Sequence, residues 1–196
     1  MNPPELLAAL APVAAALEEL GVPYYVGGSV ASSAHGVARA SVDVDVVAPL
    51  EREHVPPFVR RLEAEYYLDE ARVRSSVEAR RSFNLIHLAT MLKVDVFVSR
   101  RRPFDREALA RARPETLDDG PPPRVFSVAS LEDTVLAKLE WFRSGGEVSE
   151  RQWSDVVGVL KTAGTAADRG YLRRWAEELG VADLLARALA EADSEG

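Results

Sequence analysis

Apolar and polar side chains alternate with a period of two in two short segments of the chain. In "SVDVDVVA", residues 41–48, Val42, Val44 and Val46 fall on one side of an extended backbone and Asp43 and Asp45 on the other. In "KVDVFVS", residues 93–99, Asp95 stands alone between Val94 and Val96. Both segments are predicted strands, the first ended by Pro49. "VPYYV" at 22–26 reads as a short buried strand, residues 83–88 as another, and "VFSV" as an edge strand. A helical period predicts helices over 4–20 (with Pro12 inside), 54–66 and 104–113, and Ser29 is placed to cap a helix running to about Gly36. "YYLDE" begins with a brief strand and leads into a further helix, and Thr90-Met91-Leu92 makes a tight connection. "RPETLDDGPPPR" reads as a loop because of its prolines. After Ser130 the pattern is helical throughout, in four segments punctuated by Gly145, Gly164 and Gly180. The expectation is an α+β fold: a mixed β-sheet core with flanking helices over residues 1–128, followed by a helical bundle over 129–196.

Composition narrows this picture. A chain of 196 residues, 47% hydrophobic and 28% charged, can bury a sizeable core. The net charge of -7 argues against a duplex-DNA binder on electrostatic grounds and does not exclude a local basic pocket. There is no cysteine, so thiolate metal sites and disulfides are excluded. The apolar N-terminal run carries Glu5, Glu18 and Glu19 and no basic opening, which reads as an amphipathic helix and not a leader. No stretch is apolar for long enough to span a bilayer, so no membrane role and a cytoplasmic location are expected.

The acids then need an explanation. Residues i and i+2 of a strand project about 6.6 Å apart on one face. Asp43 and Asp45 therefore point the same way, and they face either water or a cation. If the Asp95 strand pairs with theirs, three carboxylates converge. Three such charges repel unless cations lie between them, and donors that are all oxygen favour Mg²⁺ or Mn²⁺. A lone Asp-x-Asp would be an ordinary solvated face, but these strands are otherwise apolar enough to be central ones. Gly27-Gly28-Ser29 supplies a strand-to-helix turn whose backbone N–H groups can approach a phosphate.

In this combination the chain resembles the nucleotidyltransferase superfamily, which includes DNA polymerase β-like enzymes, antibiotic nucleotidyltransferases and bacterial toxin–antitoxin nucleotidyltransferases. Gly28-Ser29, the spacer 30–42, Asp43-x-Asp45 and a later Asp95 match that family's motif in order, over roughly the first half of the chain. The spacer is long for the family. The resemblance implies transfer of a nucleoside monophosphate from a nucleoside triphosphate such as ATP to a hydroxyl-bearing acceptor, releasing pyrophosphate. It implies that Asp43, Asp45 and Asp95 are the metal-binding catalytic residues, and that Gly27, Gly28 and Ser29 hold the triphosphate. Asp95 would also help to deprotonate the acceptor. The resemblance extends to the helical tail, where Lys138 is a candidate triphosphate ligand and Arg151 and Asp155 stand in an R-x-x-x-D arrangement.

Arg39, between the glycine turn and the acids, is read as a bidentate hydrogen-bond donor to a phosphate, and Arg100, Arg101 and Arg102 as either a binding rim or a solvated run. His35, His54 and His87 have no zinc-like spacing and are read as structural, while Trp141, Trp153 and Trp175 are assigned to core packing of the bundle. The acceptor could be a small molecule, a protein or an RNA end. The alternatives to an active enzyme are a catalytically weak nucleotide-binding or interaction protein with a helical protein partner, such as a toxin–antitoxin component, and a nuclease or phosphatase using the same acids.

Overall fold

Why the acids share a face follows from the sheet. The computed structural model describes residues 3–37, 43–118 and 123–194. Among them, residues 3–30 with 43–128 form one compact unit, and residues 31–37 with 129–194 a second. The first contains a mixed sheet of seven described strands: β1 (Tyr25–Val26), β2 (Asp43–Ala48), β3 (Tyr66–Tyr67), β4 (Ser82–His87), β5 (Lys93–Val98), β6 (Arg113–Asp118) and β7 (Arg124–Val128). Their order is β3-β4-β5-β2-β1-β7-β6. β2 runs parallel to β5 and β1 parallel to β7, and the remaining neighbours are antiparallel.

One face of this sheet is a core. Val44, Val46, Val94, Val96 and Leu85 alternate into it, all fully buried. They are covered by α1 (Pro3–Glu19), α3 (Val55–Leu62) and α4 (Glu70–Glu78). Phe58 of α3 meets Phe83 of β4 edge to face, with ring centroids 6.2 Å apart. Tyr66 ties β3 to α1 through its hydroxyl, which donates to the Ala9 carbonyl at 2.7 Å, and burial raises the pKa of that phenol. The remaining helices of this part are α2 (Gly28–Ala34), whose later residues belong to the second unit, and α5 (Pro103–Arg111).

The second unit holds α6 (Leu131–Ser144), α7 (Glu150–Ala163), α8 (Arg169–Glu178) and α9 (Ala182–Ser194). Ser130, Ser149 and Asp168 cap α6, α7 and α8 by accepting from the backbone N–H three residues on. Gly145 and Gly164 terminate α6 and α7, and Gly180 follows the end of α8. Trp153 packs on Phe142 at 5.3 Å, under the Arg187 guanidinium, and donates from Nε1 to Glu191 Oε2 at 2.9 Å. Trp175 is buried as expected. Trp141 is not: it is 52% exposed. The buried stripe of α6 runs through Val135, Lys138, Leu139 and Phe142, and a residue between those positions points away from it.

Three further expectations need correction. Residues 113–118, expected as loop, form β6, paired antiparallel with β7. This strand lies at an edge of the sheet, where proline is tolerated, and most of its side chains are exposed, so there was no alternation to read. The helix expected over 54–66 is a 3-10 turn at Arg52–His54 followed by α3, which stops at Leu62. Its buried period of Val55, Phe58, Val59 and Leu62 ends there, and Tyr66 joins the sheet by pairing with His87. Ser29 is not an N-cap either, because α2 already includes Gly28.

Phe58→Ala should lower stability by about 3–5 kcal/mol, the range for truncating a buried aromatic. Equilibrium denaturation in guanidinium, followed by circular dichroism, measures it.

Candidate active site

The parallel register of β2 and β5 sets the site. Asp43 stands beside Lys93, and Asp45 beside Asp95, with the valines between them directed into the core. Residues in register on neighbouring strands share a face, so the three acids lie together on the side away from α1, α3 and α4. The next strands extend the row. Asn84 of β4 pairs with Asp95, and the Gly27 amide donates to the Asp45 carbonyl at 2.9 Å.

The cation among these acids is Lys93, which the sequence reading had not assigned to the site. Its Nζ lies 2.7 Å from Asp95 Oδ2 and 4.0 Å from Asp43 Oδ2. The hydrogen bond to Asp95, with the nearby charges of Asp95, Asp43 and Asp45, raises the lysine pKa against the opposing cost of its partial burial. The need for this charge can be sized. Two carboxylates as far apart as their strands, about 4.8 Å, repel by about 3 kcal/mol at an effective dielectric of 20. The period-two pattern contained the clue, since Lys93 is in phase with Asp95.

Gly28 joins the two halves of the motif. Its φ is +56°, a conformation that costs side-chain-bearing residues energy, and any Cβ there would collide with the Asp45 carboxylate. The glycine turn therefore does two things at once. It turns the chain from β1 into α2, and it leaves room for Asp45 to rest against the backbone. Ser29, buried in the first turn of α2, follows directly.

The acids present hard oxygen donors, and Lys93 shows that a positive charge is accommodated between carboxylates of both strands. This donor set fits a divalent ion of the Mg²⁺ or Mn²⁺ kind taking the place of the ammonium. In their present rotamers, no three acidic or histidine side chains among the described residues are gathered tightly enough to enclose a metal ion.

Arg39 is outside the described residues. Arg100, Arg101 and Arg102 follow the far end of β5, whose last residue, Val98, lies about 10 Å along the strand from Asp95. Arg101 pairs with Glu51, and Arg102 binds Asp105 Oδ1 at 2.8 Å at the start of α5. Lys138 belongs to the second unit, where its Nζ lies 2.8 Å from Asp155 Oδ2, both side chains being buried. This pair clamps α6 to α7, while Arg151 is exposed. The histidines are structural: His35 Nε2 lies 2.8 Å from the Ala129 carbonyl, His54 Nδ1 accepts from the Glu51 amide, and His87 Nδ1 lies 2.9 Å from Thr90 Oγ1.

No protein-family model matches the chain, and no curated protein sequence does. Solved structures do. The antibiotic-resistance factor ANT(2'')-Ia matches with a TM-score of 0.50 at 14% identity, over 95% of this chain and 93% of that one. The lincosamide antibiotic adenylyltransferase LnuA, in its lincomycin-bound form, matches with a TM-score of 0.50 at 15% identity, over 81% of this chain and 96% of that one. An antigenic nucleotidyltransferase-like protein from Paracoccidioides brasiliensis matches with a TM-score of 0.55 at 16% identity, over 95% and 93%. At such identities the likeness is one of architecture. The chain has the nucleotidyltransferase fold, an α+β mixed-sheet core with C-terminal helices.

Two outcomes follow from this geometry. Gly28→Ala should displace the Asp45 carboxylate and lower stability by about 1–3 kcal/mol, read by thermal denaturation. Lys138→Met alone should destabilise the protein by removing the buried counter-charge 2.8 Å from Asp155, whereas the double variant Lys138→Met/Asp155→Leu should recover part of that loss. Denaturant titration of the three proteins tests the pair.

Proposed function

We propose that this protein is a metal-dependent nucleotidyltransferase, moving a nucleoside monophosphate from a nucleoside triphosphate to a hydroxyl-bearing acceptor and releasing pyrophosphate. The observation that carries the reading is the register that sets Asp45 beside Asp95, with Asp45 resting against the glycine turn. The nucleotidyltransferase fold supports it. So do the neighbours that are themselves named as adenylyltransferase or nucleotidyltransferase-like proteins.

In this reading Asp43, Asp45 and Asp95 would hold Mg²⁺ or Mn²⁺ in the position between the strands where Lys93 now offsets their charge. When bound, the ions offset phosphate charge and make the acceptor oxygen a better nucleophile. Gly27, Gly28 and Ser29 position the outgoing phosphates beside Asp45 through backbone N–H groups and the serine hydroxyl. Asp95 accepts the acceptor's proton. The acceptor oxygen forms a bond to the α-phosphorus as the α–β bridging bond breaks, and the electron pair leaves on pyrophosphate. The residues mainly orient the reactants and neutralise charge. The catalytic part corresponds to residues 1–128 and the helical part to 129–196. Lys138 is paired with Asp155 within the helical unit.

The Lys93–Asp95 ion pair favours one rival reading: a nucleotide-binding or interaction protein, such as a toxin–antitoxin component, in which the lysine permanently replaces the metal. The two readings differ in what Mg²⁺ does. Incubation with α-labelled triphosphates, Mg²⁺ and a cell extract should yield a nucleotidylated product and pyrophosphate. Asp45→Asn and Asp95→Asn should each lower that rate by at least about a hundredfold with the fold intact. Nucleotide binding that is indifferent to Mg²⁺, with no labelled product, would establish the rival.

A further inference from the structure

The acidic face carries more than its acids. Two rows of registered side chains cross it. One runs Gly27, Asp45, Asp95, Asn84, from β1 through β2 and β5 to β4. The other runs Asp43, Lys93, Ile86, Tyr67, from β2 to the sheet edge at β3. Leu88 continues the β4 alternation just beyond Ile86, its amide donating to the Glu65 carbonyl at 2.9 Å. Tyr67 is 69% exposed and Leu88 51%, and Met91 in the following turn is 71% exposed. Among the described residues these are half of the large hydrophobics left mainly in water, concentrated at one edge of one sheet. Apolar surface gathered in this way marks a place where something binds.

The chemistry says what comes there. An in-line displacement needs the nucleophile opposite the leaving group. The glycine turn that would hold pyrophosphate lies on the β1 side of Asp45, so the acceptor arrives from the opposite direction, over β5, β4 and β3. That path leads across Asn84, Ile86, Leu88 and Tyr67. Tyr67 stands two strands, about 10 Å, from the strand carrying Asp95, which is within the span of a small molecule. Charge narrows the class further. Glu65, an exposed acid, lies opposite Leu88 at the apolar end of this path. A polyanion such as an RNA end would meet that carboxylate beside the apolar groups.

We infer that the acceptor is a hydroxylated small molecule, neutral or cationic, with a flat apolar ring face. It seats that face on Tyr67, Ile86 and Leu88 while Asn84 hydrogen-bonds its polar groups. The inference rests on the nucleotidyltransferase reading and specifies its acceptor. Tyr67 and Leu88 here determine specificity and take no part in bond making.

The test is a titration of the full chain, loaded with Mg²⁺ and a non-hydrolysable triphosphate, with 4-nitrophenyl glucoside, its 4-(aminomethyl)phenyl counterpart and a short single-stranded RNA. Binding is followed by saturation-transfer NMR. The glycosides should bind through their aryl protons, Tyr67→Ala should weaken them about tenfold, and Tyr67→Phe should retain them. Val148→Ser, which removes an equally exposed apolar group from the second unit, should leave them unchanged. All variants are checked for folding by circular dichroism. The inference is overturned if neither glycoside binds, if Tyr67→Ala binds them as wild type does, or if the RNA displaces them. Calorimetry with each common ribonucleoside triphosphate and Mg²⁺ separates the two claims. A protein that binds nucleotide but no glycoside loses only this inference, whereas one that binds no nucleotide loses the parent reading as well.

Discussion

The parallel pairing of β2 with β5 is the constraint on which the site depends. Because side chains alternate faces along each strand, aligning Asp45 with Asp95 also aligns Val44 with Val94 and Val46 with Val96. A slip of one residue in either strand would send its acids into the apolar layer and its valines outward, at several kcal/mol for the buried charges alone. The hydrophobic core thus enforces the arrangement of the carboxylates. Acid spacing and core packing are two consequences of one register.

Bringing like charges together has a local cost, and the molecule offsets it in two ways. Lys93, two residues before Asp95 and so in phase with it, places an ammonium between carboxylates of both strands. Gly28, through its positive φ and its missing side chain, lets the Asp45 carboxylate lie against the backbone where α2 begins. The glycine turn and the acidic pair are therefore one structural unit despite the gap between them in the chain, and the order of the motif reflects that packing. The same face continues past the acids to exposed apolar groups on β3 and in the turn after β4.

The helical unit obeys different rules. Its order comes from caps, from Trp153 and Trp175 in the core, and from a buried ion pair joining α6 to α7. Such a pair contributes little relative to apolar residues of the same volume, yet removing either member leaves the other buried without this counter-charge. This accounts for Lys138 and Asp155 as structural partners. It also separates them from Arg151, which shares their helical neighbourhood in sequence and is exposed.

Much of this was legible along the chain because it follows from periodicity. Alternation alone placed the acids of β2 and β5 opposite their valines, and glycine and serine marked the ends of the later helices. What depended on a partner distant in sequence was not legible. β6 has no alternation and owes its existence to backbone pairing with β7. Tyr66 ends a helical run by joining β4. Trp141 is exposed and Lys138 is buried because of where neighbouring helices lie, not because of their own composition. Lys93 could be placed in phase with Asp95 from sequence, but only the register with Asp43 made it the counter-charge of the site. One-dimensional order thus determined which side of each strand every acid takes. The tertiary structure decided which strands meet, because that choice rests on contacts between residues far apart in the chain.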